Sequence, residues 1–277
     1  MNGVKTTLLM GLMTGLLLAI GSFFGNQGLV MALVFAALLN LGSYWFSDKI
    51  VLRMYRAQPA SPEQYPRLHR IVGELCMRAR LPKPAVYILP TAGANAFATG
   101  RNPQQAAVAV TAGLLQMLDD TELEGVIAHE LGHVKNRDIL ISSLAATMAG
   151  AVTMLARIVG YSAMFGGYGS RDRNGGGAIG ALAMMIVAPL AAMLIQMAVS
   201  RTREFKADAA ATRIVGHPHG LISALQKLDH ARQRVPTPAS AATAHLFIVK
   251  PFSGGMMSLF STHPSTEERI ARLRSGM

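Results

Sequence analysis

The segment His129-Glu130-Leu131-Gly132-His133 sets two imidazoles four residues apart with a carboxylate beside the first. On a helix, positions i and i+4 share a face. Both histidines can then reach one tetrahedral Zn²⁺, while Glu130 stands next to the open fourth position where water binds. A water held between a metal and a base is equipped for hydrolysis. The plain alternative is a pair of exposed helix histidines beside a surface glutamate.

A catalytic zinc needs a third protein ligand, and the best placed is Glu204, in Ser200-Arg201-Thr202-Arg203-Glu204-Phe205-Lys206-Ala207-Asp208. Asp208 lies one helical turn further on the same face. There it can accept a hydrogen bond from the free ring N–H of a ligating histidine and fix its tautomer. The competing reading is a solvated helix face that pairs Glu204 and Asp208 with Arg201 and Arg203. His263, in Thr262-His263-Pro264, comes just before a short terminal helix signalled by Ser265 and Glu268 as a capping box. That position is rigid enough to aim a hydrogen-bond donor, against the alternative of a structural histidine. His69, His230 and His245 have no partner pattern, and His217-Pro218-His219 reads as a solvent-facing turn.

Certain elements must hold these groups. Asp119, Asp120 and Thr121 offer N-caps to the histidine helix, and Glu122 and Glu124 favour its positive end; it runs to about Lys135. Residues 47–80 read as amphipathic helix, with Leu68, Ile71, Val72 and Leu75 at helical spacing until Pro82 and Pro84 stop it. Residues 85–89 and 106–110 read as strands. Between them, residues 91–100 are turn-rich and could bend back as an edge strand that binds an extended peptide through main-chain hydrogen bonds.

The chain is too apolar for an ordinary soluble protein: 51% of its 277 residues are hydrophobic, and its mean hydropathy is +0.33. Residues 6–24, 28–46, 139–160 and 178–200 are candidate transmembrane helices. The first two lack charge and are joined by a tight turn; Lys5 and Ala19-Ile20-Gly21 also permit a signal-peptide reading of the first. The latter two could instead form a buried hairpin. If both cross, the chain leaves beside His133 and returns on the same side beside Glu204. Net charge +11 would in a soluble protein point to nucleic acid, but its distribution argues otherwise. Segments 47–138 and 201–277 each carry 11 Lys and Arg, whereas 161–177 carries only Arg171 and Arg173. That is a positive-inside pattern placing both termini and the catalytic segments in the cytoplasm, and no nucleic-acid partner is expected. The single Cys76 excludes an intramolecular disulfide and reads as a packed thiol.

Taken together, the His-Glu-x-x-His helix with Asn136 and Asp138 downstream, the four spans, Glu204-x-x-x-Asp208, Asn95-Ala96-Phe97 and Thr262-His263-Pro264 resemble the HtpX-type bacterial inner-membrane zinc metalloproteases over essentially the whole chain. The resemblance extends more distantly to the eukaryotic CAAX prenyl proteases. It implies one Zn²⁺ per chain on His129, His133 and Glu204, Glu130 as base, and Asn95 and His263 contacting the substrate or the reacting carbonyl, with Ala96 in the substrate-binding stretch. It also implies cleavage of misfolded or damaged membrane proteins at the cytoplasmic face, in stress-related quality control. The expected fold class is mainly α: a multi-pass inner-membrane protein with about four transmembrane helices and a cytoplasmic gluzincin-like domain containing a small β-sheet. Residues 1–46 and 139–200 are the membrane hairpins, and 47–138 and 201–277 are the two parts of the catalytic domain. The partners expected are the lipid bilayer and unfolded polypeptides. A site-2-type intramembrane protease is disfavoured, because Glu122, Glu124, Lys135 and Arg137 surround the motif and no Leu-Asp-Gly segment occurs. A non-enzymatic membrane metal-binding protein would carry polar residues within several spans, which these mostly lack.

Overall fold

A computed structural model of the chain describes residues 2–22, 25–151, 201–234, 246–248 and 264–276. Helices α1 (Asn2–Ser22) and α2 (Gly25–Met54) form the expected apolar hairpin. Gly25 turns the chain at φ +71°, a backbone conformation that costs glycine little. The helices close tightly at Gly21, where a Cβ would stand 2.5 Å from Ala32 Cβ and 2.7 Å from the Gly28 carbonyl. The Asn40 side-chain amide donates across the pair to Thr14 Oγ1 at 2.8 Å.

The outer face of α2 is apolar and exposed, with Val30, Met31, Leu33, Leu38 and Trp45 among its residues. Its most apolar 18-residue stretch has mean hydropathy 1.9 and is only 11% buried, so this is no core helix. Such a face is of the kind that lipid or another protein covers. Among the described residues, α2 is the one helix long and apolar enough to cross a membrane; Gly3–Ala19 and Ile139–Ala151 are shorter apolar helices. Of the third and fourth expected spans only Ile139–Ala151, here α6, is described, and the rest lies outside the described residues together with the four-span topology. On α6, Ile141, Leu144, Ala145 and Met148 pack with Leu9, Met13 and Leu17 of α1 and Ala36 of α2.

The expected amphipathic helix over 47–80 is divided in two. Helix α2 runs on to Met54, and only Pro66–Ala79 forms the amphipathic α3. The chain breaks at Arg56, with φ +52°, before a short strand β1 (Gln58–Pro59). Pro59, Pro62 and Pro66 deprive this stretch of helical N–H donors and disfavour helix in the residues preceding them.

Strands β2 (Ala85–Leu89), β3 (Ala96–Gly100) and β4 (Ala106–Thr111) join β1 in a sheet of order β1-β2-β4-β3. β2 runs parallel to β4, and β3 antiparallel to it with Phe97 opposite Ala109. β3 is therefore an edge strand. After the short α4 (Ala112–Met117) comes α5 (Asp120–Lys135), which carries the histidines. Its start is a complete capping box: Asp119 accepts from the Glu122 N–H, and Glu122 accepts from the Asp119 N–H. Around α5 lie α3, β3, α7 (Arg201–Val215) and α8 (His219–Arg234), with α9 (Thr266–Arg274) closing over α7 and α8. Leu123, Ile127 and Leu131 of α5 form one core with Leu68, Ile71 and Leu75 of α3, Val108 and Val110 of β4, Ala211 of α7 and Leu225 of α8.

Candidate metal centre

Because elements surround α5 on several sides, the polar residues on its inner face are buried, and each needs a partner. His129 and Glu130 are both interior, and His133 is partly so. Their imidazoles converge as the i, i+4 spacing predicts, with the Nε2 atoms 3.2 Å apart. Glu204, on the facing turn of α7, brings Oε2 to 3.6 Å from His129 Nε2 and Oε1 to 3.6 Å from His133 Nε2. One ligand atom from each of these three residues lies within 4.8 Å of the others.

Gly132 is what permits α7 to come this near. A Cβ there would stand 3.0 Å from the Ala207 carbonyl oxygen and 3.1 Å from its Cα. Any larger residue would have to push away the helix that carries Glu204.

The opposite ring nitrogens fix the tautomers. His129 Nδ1 lies 2.8 Å from Asp208 Oδ1, and His133 Nδ1 lies 3.5 Å from Asp138 Oδ2. With carboxylates facing the Nδ1 atoms, the two Nε2 atoms face one another and a glutamate oxygen, and once deprotonated their lone pairs are free for a cation. Three electron-rich atoms converging in the interior call for a cation between them. A tetrahedral zinc with bonds of about 2.0–2.2 Å separates its ligand atoms by roughly 3.3 Å, close to the spacings here. The residues therefore fit a zinc ion.

Asp208 lies against His129 Nδ1, and a residue that sequence reasoning missed holds it there. Arg269 of α9 is buried and donates from Nε and Nη2 to both Asp208 oxygens, at 2.9 and 2.6 Å, and from Nη1 to the Ile248 carbonyl at 2.7 Å. Its Nη2 sits 3.3 Å from His129 Nδ1 because both donate to the same oxygen. Burial alone would raise the Asp208 carboxyl, but the guanidinium beside it pulls it down to about 2. Burial and Arg269 both oppose charge on His129, yet Asp208 and Glu204 outweigh them and lift the imidazole to about 9 in the metal-free protein. In the sequence, Arg269 looks like any basic residue of a short terminal helix. The apolar Ile270 and Leu273 signal that this helix has a buried face, but they do not single out Arg269 from Arg272 and Arg274.

Glu130 accepts a 2.8 Å hydrogen bond from the Ala98 N–H on the outer side of β3. Burial, first, and the nearby Glu204 raise its carboxyl above the ordinary range, against the opposing pull of the two imidazoles and that N–H. Asn95 is placed differently from the expectation of a substrate contact. It is buried, and its Oδ1 accepts from the Ile248 N–H at 3.1 Å. Asn95 and Arg269 thus grip Ile248 from its two peptide faces, and Leu246, Phe247 and Ile248 wall the pocket that also contains Phe97, Ala98 and the metal-binding cluster. Ala96 is buried in β3 opposite Val110. His263 lies outside the described residues, although Ser265, two residues on, caps α9 as expected by accepting from the Glu268 N–H. His69 bonds the Ala60 carbonyl and His230 the Gln226 carbonyl, away from the site. Cys76 is a buried thiol that burial pushes up to about 11, an unreactive packing residue.

A family model described as Peptidase family M48 matches residues 62–276. "Protease HtpX homolog" of Desulforapulum autotrophicum is 54% identical over 278 residues, covering 99% of this chain and 90% of its own. The protein of the same description from Syntrophotalea carbinolica is 53% identical and covered to 99% on both sides; that from Pyrococcus furiosus is 52% identical, covering 98% and 94%. Among solved structures, S. mikatae Ste24p superposes with TM-score 0.53 at 19% identity, over 98% of this chain and 65% of that longer one. At that identity the likeness is one of fold.

Proposed function

The chain belongs to peptidase family M48 and is a metalloprotease, and from that premise we propose that it is a membrane-bound zinc endopeptidase whose metal sits on His129, His133 and Glu204. The observation that carries the reading is the convergence of two Nε2 lone pairs and a glutamate carboxylate, each histidine held in that tautomer by its own aspartate. Zinc, when bound, supplies the acid: it polarises a peptide carbonyl and lowers the pKa of water.

The residues of the chain do the rest. Glu130, its carboxylate raised by burial, takes the proton of the attacking water and returns it to the leaving amine. The Ala98 N–H that bonds Glu130 fixes the direction from which that proton is taken. The outer side of β3 beside Glu130 suits a substrate strand laid along the edge of the sheet. Asn95 holds the Ile248 wall, and His263 is the residue we assign to stabilise charge on the reacting carbonyl. One aimed donor of that kind contributes about 3 kcal/mol.

The substrates we propose are misfolded or damaged membrane proteins, cut at the cytoplasmic face. Support comes from the exposed apolar face of α2, the distribution of basic residues along the chain and the family resemblance.

The test is hydrolysis of an unfolded protein by the detergent-purified chain, stripped of metal and zinc-restored, beside Glu130→Gln. Cleavage that requires zinc and is lost by more than about 100-fold in a variant still holding one zinc is the expected result. Full activity in Glu130→Gln would remove the base.

A further inference from the structure

Two buried arginines reach the metal centre, and they differ in what holds them. Arg269 has an acceptor at every nitrogen: they bond both oxygens of Asp208 and the Ile248 carbonyl. Arg203, the residue before Glu204 on α7, has a side chain only 10% exposed, yet its Nε, Nη1 and Nη2 all lack a hydrogen-bond acceptor. Its ion pair with Asp138 spans 3.9 Å, too far for a hydrogen bond, and the other Asp138 oxygen is turned toward His133. Glu204 directs its carboxylate at the two histidines.

A buried polar group without partners is costly and demands an explanation. A guanidinium cannot relieve that cost by losing its proton. Arg203 also lines the same pocket as Glu130 and His133, and among the described residues lining it no other is Lys or Arg. Phe97, Ile139, Leu246 and Phe247 make part of the wall apolar, while Glu130, Asp138 and Glu204 add carboxylates that repel an anion. With zinc offsetting its own ligand carboxylate, Arg203 is the side-chain cation an entering anion can pair with, where little water screens it. Five N–H donors in a planar fork match a carboxylate better than any single carbonyl.

We propose that Arg203 is the recognition site for a carboxylate of the polypeptide substrate, carried by an acidic side chain near the scissile bond or by a free C-terminus. The inference rests on the endopeptidase reading and names part of its substrate preference.

The experiment measures binding, independent of turnover. The full chain bearing Glu130→Gln, zinc-loaded in detergent, is titrated with fluorescent peptides of one neutral sequence. In one arm a single Glu is moved through the positions flanking the cleaved bond and compared with Gln at each. In the other, a free C-terminus is compared with its amide. A carboxylate-bearing peptide should bind at least about tenfold more tightly than its neutral counterpart, and the arm in which this occurs identifies the source. Adding Arg203→Gln should erase the difference while one zinc per chain remains; Arg203→Lys, which keeps the charge without the fork, should keep part of it.

Equal binding of all peptides, or a preference that survives Arg203→Gln, overturns the site. So does loss of zinc in Arg203→Gln with the fold retained, which would mean that the arginine acts through Asp138 on His133. Failure of every peptide to bind the zinc-loaded protein would instead refute the endopeptidase reading, and the site with it.

Discussion

The metal-binding histidines depend on residues that never touch the metal. Asp208 orients His129, and Arg269 orients Asp208, so a side chain on the last described helix sets the direction of a lone pair on α5. Replacing Arg269 with Met would leave Asp208 buried without its cation, a change that costs about 3–5 kcal/mol when one partner of a buried pair is removed. We expect zinc affinity to fall roughly 10–100-fold, as read by competition with a chromophoric chelator; unchanged affinity would show the pair to be dispensable. Proton competition follows from the same contacts. His129 has its pKa raised from 6.5 to about 9 in the metal-free protein, so zinc must displace a proton below that value. Affinity should drop by about tenfold per pH unit as pH falls below about 9. For the metal-free fold the sign runs the other way: a raised histidine stabilises below its ordinary pKa, and that contribution disappears as pH rises through about 9. Zinc affinity that is flat between pH 6 and 8 would contradict the assignment.

At the level of elements, helix spacing governs the site. α7 approaches α5 at Gly132, where there is no room for a Cβ without displacing Ala207 by a few tenths of an ångström. Gly132→Ala should leave the fold in place, weaken zinc binding through displacement of Glu204, and lower kcat. If zinc stoichiometry and activity in the purified variant equal those of the parent, the close approach is not what positions Glu204. α5 meets α8 under a harsher constraint at Gly125, where a Cβ would run into the Leu221 backbone. Alanine there should reduce thermal stability substantially, which differential scanning would record. Glu122 explains why α8 belongs to the site at all: buried at the start of α5, it accepts from Ser223 and Lys227 of α8 at 2.6 and 2.7 Å. Those contacts tie the capping box of the histidine helix to the neighbouring layer.

Considered whole, the molecule couples an apolar hairpin to the edge of a catalytic sheet. Val51 and Leu52 near the end of α2 pack with Phe97 of β3 and Ala109 of β4. The rings of Tyr55 and Phe97 lie 5.4 Å apart, and Arg101, beyond β3, stacks its guanidinium 4.3 Å from the Trp45 ring centre. Thr99 of β3 also shares a 2.7 Å hydrogen bond with Ser143 of α6. The strand beside Glu130 is thus braced by two apolar helices, which keeps the site close to whatever those helices are embedded in. The basic-residue pattern expects the sheet on the cytoplasmic side and the α1–α2 turn on the other. Cys76 is buried, so thiols introduced at exposed Asn26 and Gln104 can be read separately. In right-side-out cells a membrane-impermeant maleimide should label Asn26→Cys and spare Gln104→Cys; the reverse result would invert the orientation.

What the sequence determined by itself is local. The spacing of His129 and His133 delivers a shared helical face because 3.6 residues complete a turn. Asp119 with Glu122 starts the helix through contacts three residues apart, the turn-rich stretch before Gly100 bends back as an edge strand, and long uncharged runs make an apolar hairpin. The sequence does not mark where α2 ends beyond position 46, because helical continuation and an amphipathic start look alike until the prolines and the positive φ at Arg56 interrupt them. The tertiary structure alone decided which charges meet. Arg269 reaches Asp208 across 61 residues and His129 across 140, and Asn95 turns to Ile248 across 153. Nothing in periodicity separates Arg269 from the exposed Arg272 and Arg274 on the same short helix. Burial separates them, and burial follows from long-range packing of helices whose order in space the spacing of residues along the chain does not encode.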